Sequence, residues 1–216
     1  MTRIKKINFY GDPNIGLYGF ASDKYVLIGN VVKDTSLGVL NVPAVKLTIA
    51  DTDLVGIFAT GNSNKIITSH IIENNEKEHI EKIADVLVLN TKFTAVGNLI
   101  LLNDRGCIIS PLLKKYKENI ESFLSLPVSV STIAGLNVVG SAAICNNRGC
   151  LVHPQTKESE IKIIESVLDV VVDVGTVNFG SPFVRSGIIV NKSGFLVGDR
   201  TSGPEAGRMD EVFGFI

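Results

Sequence analysis

The sequence contains little that would indicate a secreted, membrane-spanning or metal-binding protein. It has three cysteines among 216 residues and no Cys-x-x-Cys pair, which argues against a disulfide framework and a zinc site. Its apolar runs stay well short of the roughly 18 residues that a membrane-spanning helix needs. The first residues also lack the apolar core of a signal peptide. We therefore expect a soluble protein located in the cytoplasm, with no membrane partner.

An excess of charge of one sign is lacking as well. The 21 lysines and arginines are balanced by 22 aspartates and glutamates, and the formal net charge is −1. Proteins that bind nucleic acid non-specifically usually carry a basic excess, because they neutralise phosphates. The balance argues against DNA binding, whereas a local basic patch remains open.

The sequence motifs of common enzymes are absent. There is no Gly-x-x-x-x-Gly-Lys-Ser/Thr, no His-Glu-x-x-His and no Gly-x-Ser-x-Gly. Residues 203–207 resemble a phosphate loop but lack the following Lys-Ser/Thr, and we interpret Ser202 and Glu205 as the capping box of a last helix that ends at Val212. Cys107 and Cys150 each follow a turn glycine and suit the start of a strand. We predict no catalytic residue, no cofactor and no metal site.

The sequence does contain one unit that recurs five times. Glycines lie at Gly16, Gly56, Gly97, Gly140 and Gly187, separated by 40, 41, 43 and 47 residues. Each opens an apolar stretch, which leads through a polar turn into a second apolar stretch. A fixed period in this range indicates a repeat architecture. We predict one domain, residues 1–216, with repeats of about 43 residues at approximately 1–41, 42–84, 85–126, 127–169 and 170–216.

Each repeat predicts a hairpin, a helix and a further strand, which makes the fold class α/β. Apolar residues spaced three and four apart predict helices at 75–84, 113–124 and 157–168, the first with a capping box of Asn75 and Glu78. Strands predicted at 85–89, 128–131 and 170–174 show little alternation, so we expect them to be buried on both faces. The helix of the first repeat is the weakest, because Gly38 interrupts it.

The ends of the chain predict how the five units close. An apolar stretch at residues 4–10 precedes the first glycine, and residues 203–216 add a helix and an apolar tail. We expect the C-terminal segment 203–216 to close the ring onto the first repeat, which would leave no open edge strand.

Several stretches of the sequence resemble the translation initiation factor 6 family. They are GTVNFGS (175–181) with GIIVN (187–191), VGS (139–141) with NNRGCLVHP (146–154), and GNSN (61–64). The resemblance extends over essentially the whole chain and is to the archaeal type. It implies the pentein fold, a five-bladed α/β propeller with pseudo-fivefold symmetry.

The resemblance also implies a function. Family members bind the large ribosomal subunit on its intersubunit face and prevent premature joining of the small subunit, with roles in initiation and in large-subunit maturation. It implies release by an elongation-factor-like GTPase together with a Shwachman–Bodian–Diamond family protein, and no cofactor. We expect a monomer whose affinity comes mainly from a ribosomal protein surface, with limited contact to ribosomal RNA.

Residues beside the recurring glycines are the candidates for ribosome contact. They are Tyr18, Ile57, Asn98, Ala142 and Ile188. Asn98 stands out because it is polar at an otherwise apolar strand start and its position resembles the family's ribosome-contacting face. Two alternatives remain open at this point: a pentein-type enzyme that modifies guanidine groups with a cysteine nucleophile, and a generic interaction scaffold.

Overall fold

Five three-stranded sheets make up the chain in the computed structural model, which describes residues 3–216. The strands are β1 (Ile4–Ile7), β2 (Gly19–Ala21), β3 (Val26–Gly29), β4 (Ala44–Leu47), β5 (Ala59–Gly61), β6 (Lys65–Ser69), β7 (Asp85–Leu89), β8 (Ile100–Leu102), β9 (Cys107–Ile109), β10 (Val128–Val130), β11 (Ala143–Cys145), β12 (Gly149–Val152), β13 (Val171–Val174), β14 (Ile188–Val190) and β15 (Phe195–Gly198).

Short and long helices separate these strands. The α-helices are α1 (Val55–Phe58), α2 (Asn74–Ile80), α3 (Lys117–Leu124), α4 (Val139–Ala142), α5 (Glu158–Leu168) and α6 (Gly203–Val212). Turns of 3-10 helix lie at Ile15–Leu17, Asp34–Ser36, Gly38–Leu40, Val96–Asn98, Pro111–Tyr116 and Val184–Gly187.

Every sheet has the same topology. A two-stranded antiparallel hairpin is joined by a third strand, which pairs in parallel with the second strand of the hairpin, as β7 does with β6. In the first four repeats this third strand follows the hairpin and a helical segment along the chain, whereas in the fifth sheet it is β1. The first strands β2, β5, β8, β11 and β14 surround a central channel, and neighbouring sheets contact one another around it. This arrangement confirms the predicted five-bladed α/β propeller with pseudo-fivefold symmetry.

The middle strands are almost entirely buried. All residues of β3, β9, β12 and β15 are buried, and they carry the apolar side chains that pack between sheets and helices. The third strands are only partly buried, as in β7 and β13. Our expectation that the third strands are buried on both faces was therefore wrong, because each lies at the outer edge of its sheet.

The helix predicted at 157–168 is confirmed, whereas α2 ends at Ile80 rather than at residue 84 and the first part of the helix predicted at 113–124 is a 3-10 turn. The capping box of α6, formed by Ser202 and Glu205, is confirmed, as is the end of the helix at Val212. The capping box of α2 uses Glu73 and Glu76 rather than Asn75 and Glu78. The first repeat has two 3-10 turns around Gly38 in place of an α-helix, consistent with the poor helix propensity of glycine.

The N-terminal strand, rather than the C-terminal segment, provides the pairing that links the two ends of the chain. β1 pairs in parallel with β15 from Ile4 opposite Phe195 to Ile7 opposite Gly198. Helix α6 is the helix of the fifth repeat, and the first repeat's sheet is complete without it. The expected closure of 203–216 onto the first repeat is thus corrected, because the fifth repeat is the one that lacks a third strand of its own.

The C-terminal tail packs under the strand that completes the fifth sheet. The ring of Phe215 stacks on that of Phe195 with centroids 5.7 Å apart, and Arg3 donates a hydrogen bond to the Phe215 carbonyl oxygen at 2.6 Å. Ile4 packs against the same apolar cluster. The two ends of the chain therefore meet within one core.

Candidate functional site

The ring has two ends with different chemistry, which we name the anchor face and the turn face. The anchor face is the end at which the first strands begin, and it carries Gly16, Gly56, Gly97 and Gly140. The turn face is the opposite end, where the five hairpin turns lie. The middle strands run from the turn face back to the anchor face, and the third strands run parallel to them. The short turns that follow the third strands therefore lie on the anchor face.

Glycine at the anchor positions lets successive repeats touch through their backbones. A Cβ on Gly56 would overlap the carbonyl oxygen of Gly16. Gly97 stands in the same relation to Gly56, and Gly140 to Gly97. Only a residue without a side chain permits this approach. The recurrence that is visible in the sequence is therefore the contact that holds the ring together at its centre.

Arg185, not Gly187, occupies the fifth anchor position. A Cβ on Gly16 would overlap the Arg185 carbonyl oxygen, in the same way that one on Gly56 would overlap that of Gly16. Gly187 lies instead against Val177 and Asn178. The sequence prediction was wrong by two residues, because a glycine happens to stand near the expected place.

The Arg185 side chain crosses the channel to the second repeat. Its Nη1 donates a hydrogen bond to Thr60 Oγ1 at 3.3 Å, and its Nη2 lies 3.4 Å from the carbonyl oxygens of Gly56 and Ala59. Burial lowers the pKa of Arg185 to about 10, so the guanidinium is still charged at neutral pH. Arg185 therefore fills the space that a fifth glycine would have left open.

The rest of the channel is nearly filled. Two cavities along it have volumes of about 30 Å³ each, enough for about one water molecule. At the turn face, Asn147 Nδ2 donates to Asp23 Oδ2 at 2.9 Å and to Asp104 Oδ2 at 2.7 Å, which ties the hairpin turns across the opening. Sites for small organic ligands are usually ten times larger.

The cysteines lack the surroundings of a nucleophile. Cys107 and Cys150 are fully buried, and burial raises the pKa of both thiols. Cys145 borders the channel, where its thiol donates to the Leu102 carbonyl oxygen at 3.3 Å. Reactive cysteines need a stabilised thiolate. Among residues 3–216, no group of three or more histidine, cysteine or acidic side chains is placed to hold a metal ion.

Polar groups on the turn face are used within the protein. Four of the five hairpin turns begin with asparagine, whose Oδ1 accepts from the backbone two and three residues ahead. Asn146 is typical, accepting from Arg148 at 2.8 Å and Gly149 at 2.9 Å while its Nδ2 donates to the Phe213 carbonyl oxygen at 3.1 Å. The others are Asn62, Asn103 and Asn191. These turns therefore serve to join neighbouring repeats.

Three turns on the anchor face, each directly after the third strand of one sheet, are held by glutamates from the helix that belongs to the next sheet. Glu76, Glu160 and Glu205 each stand three residues after a helix N-cap, and each accepts hydrogen bonds from two backbone N–H groups of a turn whose residues have positive φ. Each also accepts from a threonine hydroxyl and from the backbone of its own N-cap. These carboxylates fix the turns that project from this face.

The hydrogen bonds keep these carboxylates ionised. For Glu205, burial raises the pKa, but hydrogen bonds from the Ser202 backbone, the Thr176 hydroxyl and the Gly180 backbone outweigh burial and lower the pKa to about 2. The same balance of burial against hydrogen bonds lowers the pKa values of Glu76 and Glu160. The turns are therefore held by charged groups throughout the physiological pH range.

Two of the turns on this face carry exposed aromatic side chains. Tyr10 and Phe179 are each 84% exposed, and both have positive φ. The two turns are adjacent, since Asn178 Nδ2 donates to the Pro13 carbonyl oxygen at 2.9 Å. Phe183 is also exposed on this face and packs edge-on against His153. Exposed aromatic residues grouped on a rigid surface are typical of protein–protein contact.

Our sequence reasoning missed these aromatic residues, although a signal was available. Tyr10-Gly11 and Phe179-Gly180 each place a large apolar residue directly before a glycine, just after an apolar stretch. A large apolar residue in a glycine turn therefore indicates an exposed side chain, because turns run over the protein surface.

Three of the five predicted contact residues are accessible and two are not. Tyr18, Ile57 and Asn98 are half-buried on the anchor face, with Ile57 and Asn98 each directly after an anchor glycine. Ala142 is 0% exposed and Ile188 is 1% exposed. Ala142 and Ile188 therefore expose almost no side-chain surface, because the first packs in the core and the second begins a channel-lining strand.

Comparisons with known proteins agree with this architecture. No helix within residues 3–216 is long and apolar enough to cross a membrane. The eIF-6 family model matches residues 4–212. The chain is 40% identical to translation initiation factor 6 of Haloquadratum walsbyi, over 98% of this chain and 96% of that protein. It is 36% identical to translation initiation factor 6 of Pyrococcus horikoshii, over 99% of each. The chain belongs to the eIF-6 family.

Proposed function

We propose that the chain binds the large ribosomal subunit through its anchor face and thereby prevents the small subunit from joining. Membership of the eIF-6 family supports a ribosome anti-association role in translation initiation. The observation that supports this face is the pair of neighbouring turns that expose Tyr10 and Phe179. On the turn face, by contrast, the asparagines are used in joining repeats.

Occlusion of one surface is sufficient for this function and needs no chemistry. At a free concentration 100 times its Kd, a competitor weakens the opposing equilibrium by about 2.7 kcal/mol, or roughly 100-fold. The rigid closed ring suits this role, because the turns are fixed before binding and little conformational entropy is lost. We include a role in large-subunit maturation and a cytoplasmic location in the proposal, because ribosomes are assembled and used there.

The proposal also covers the ribosomal components that are contacted and the factors that release the protein. We propose that a ribosomal protein surface provides most of the contact and ribosomal RNA a smaller part, in keeping with the net charge of −1. We propose release by an elongation-factor-like GTPase acting with a Shwachman–Bodian–Diamond family protein, on the resemblance to the family.

The enzyme alternative finds little support in the channel. The cavities there are too small for a guanidine substrate, and the Cys107 and Cys150 thiols are held protonated by burial. Binding to purified large subunits distinguishes the proposed function from that of a generic interaction scaffold, which would not bind them.

The test is co-sedimentation with purified large subunits, with small subunits as control. We expect Asn98→Arg, on the anchor face, to weaken binding at least tenfold, about 1.4 kcal/mol, with little change in melting temperature. Asn64→Arg on the turn face is the matched control, because Asn64 is exposed and the charge change is the same. Equal affinities of the two variants and the wild type would contradict binding through the anchor face.

A further inference from the structure

A groove with basic and aromatic walls lies at the outer rim of the anchor face. It has a volume of about 630 Å³ and is placed where β6 and β7 end and the helical segment of the third repeat begins. Lys92, Phe93, Lys115 and Tyr116 form its walls, and none of its lining residues is acidic. Along the chain, Phe93 lies three positions before the 3-10 turn Val96–Asn98, so the groove and Asn98 belong to the same end of the third repeat.

The two lysines of the groove are available for an external anion. Lys92 Nζ lies 5.2 Å from the centre of the Phe93 ring, and Lys115 Nζ lies 4.7 Å from that of Tyr116. Both lysines are exposed, and within residues 3–216 neither forms an ion pair. The groove therefore presents two lysines with no acidic side chain among its lining residues, although the protein as a whole has a net charge of −1.

The aromatic rings are fixed in place. The Tyr116 hydroxyl donates to the Asn90 carbonyl oxygen at 2.7 Å, and both Phe93 and Tyr116 pack in part against the core of the third repeat. Hydrogen bonds from the side chains of Lys115 and Thr91 to the Tyr116 hydroxyl lower the pKa of that phenol.

This combination matches single-stranded nucleic acid better than an acidic peptide. Sites for single strands pair lysines that follow the phosphates with aromatic side chains that contact unstacked bases. The aromatic pair Phe93 and Tyr116 makes the difference, because every base has a flat face that can contact an aromatic ring, whereas binding of carboxylates requires only the positive charges.

We infer that this groove binds a single-stranded segment of ribosomal RNA, with Lys92 and Lys115 on the phosphates and Phe93 and Tyr116 against a base. The inference rests on the proposed function and specifies where RNA is contacted. Two phosphates on a single strand correspond to a slope of roughly −1.4 in log K against log salt, which is shallow compared with DNA-binding proteins.

The first experiment measures affinity for purified large subunits at several salt concentrations. We expect Lys92→Ala with Lys115→Ala to weaken binding about tenfold at roughly 0.1 M salt and to reduce the salt slope by about 1.4. The control is Lys24→Ala with Lys192→Ala, which removes the same charge from the turn face. Tyr116→Leu keeps an apolar side chain over the core, so it should weaken binding while leaving the salt slope unchanged.

The second experiment identifies the occupant by ultraviolet crosslinking of the wild-type complex followed by mass spectrometry. A nucleotide adduct on Phe93 or Tyr116 is expected. A crosslink from these residues to a ribosomal protein alone would overturn the inference. It would also be overturned if the Lys92→Ala, Lys115→Ala variant had the same salt slope as the turn-face control variant. If wild-type protein fails to sediment with large subunits, the proposed function falls as well, so the two failures are distinguishable.

Discussion

Replacing Glu205 by glutamine should destabilise the protein by removing a charged group that holds an anchor-face turn. The Glu205 carboxylate accepts from the Ser202 N–H and the Thr176 hydroxyl at 2.7 Å each, and from the Gly180 N–H at 2.9 Å and the Phe179 N–H at 3.2 Å. A glutamine has one acceptor oxygen, so its amide nitrogen would face donors on the other side.

The magnitude follows from the lost hydrogen bonds. Hydrogen bonds to charged groups contribute about 1.5–3 kcal/mol each when buried. Glu205 is partly exposed, and solvent therefore replaces much of what is lost. We expect a cost of about 2 kcal/mol, which corresponds to a fall in melting temperature of roughly 4–8 °C for a chain of this length.

The effect should depend on pH with a definite sign. The pKa of Glu205 is lowered from 4.5 to about 2 in the folded protein. A group with a lowered folded pKa contributes stability that is complete above its unfolded pKa and is lost as the pH falls through the folded pKa. The difference in melting temperature between the wild type and Glu205→Gln should therefore shrink between pH 4.5 and pH 2.

Thermal unfolding followed by circular dichroism across this pH range provides the assay. Glu211→Gln is the matched control, since Glu211 is an exposed glutamate of the same helix. The reasoning would be refuted if Glu205→Gln melted at the same temperature as Glu211→Gln, or if the difference stayed constant down to pH 2.

Two further predictions concern the ring itself. Gly97→Ala should destabilise the protein by about 3 kcal/mol or more, because its Cβ would overlap the backbone of the second repeat. Gly38→Ala, whose Cβ would meet nothing within 4 Å, should be neutral or slightly stabilising, and similar melting temperatures for the two variants would contradict this account of the anchor glycines. Deleting residues 1–7 should lower stability by about 3 kcal/mol or more, because it removes β1 and the burial of Ile4 and Ile7. An unchanged melting temperature in the truncated chain would show that β1 does not close the ring.

Much of the fold could be predicted because its elements are determined by local patterns. The helix at 157–168 was predicted to within a residue of α5, since its apolar residues recur every three or four positions. The strand at Asp85–Leu89 was predicted with its observed bounds. Ring closure was assigned to the wrong end, because a strand's partner over such a sequence distance depends on packing rather than on the strand's own residues.

The candidate site was less predictable, because it depends on the phase of each repeat and on contacts between repeats. Ala142 lies two positions after its anchor glycine, and Ile188 was counted from Gly187 although Arg185 holds the anchor position. The groove combines Lys92 and Lys115 from separate segments, which only the fold brings together. A direct alignment of Val184-Arg185 with the Val-Gly pairs of three other repeats could have shown that the fifth glycine is replaced.

The most direct test of the central claim is a subunit-joining assay with purified large and small ribosomal subunits, read by light scattering or by sucrose gradients. We predict that increasing amounts of the protein reduce the joined fraction in proportion to occupancy of the large subunit, and that Asn98→Arg shifts this curve to at least tenfold higher concentrations. A joined fraction that stays unchanged while the large subunit is saturated with wild-type protein would contradict the account.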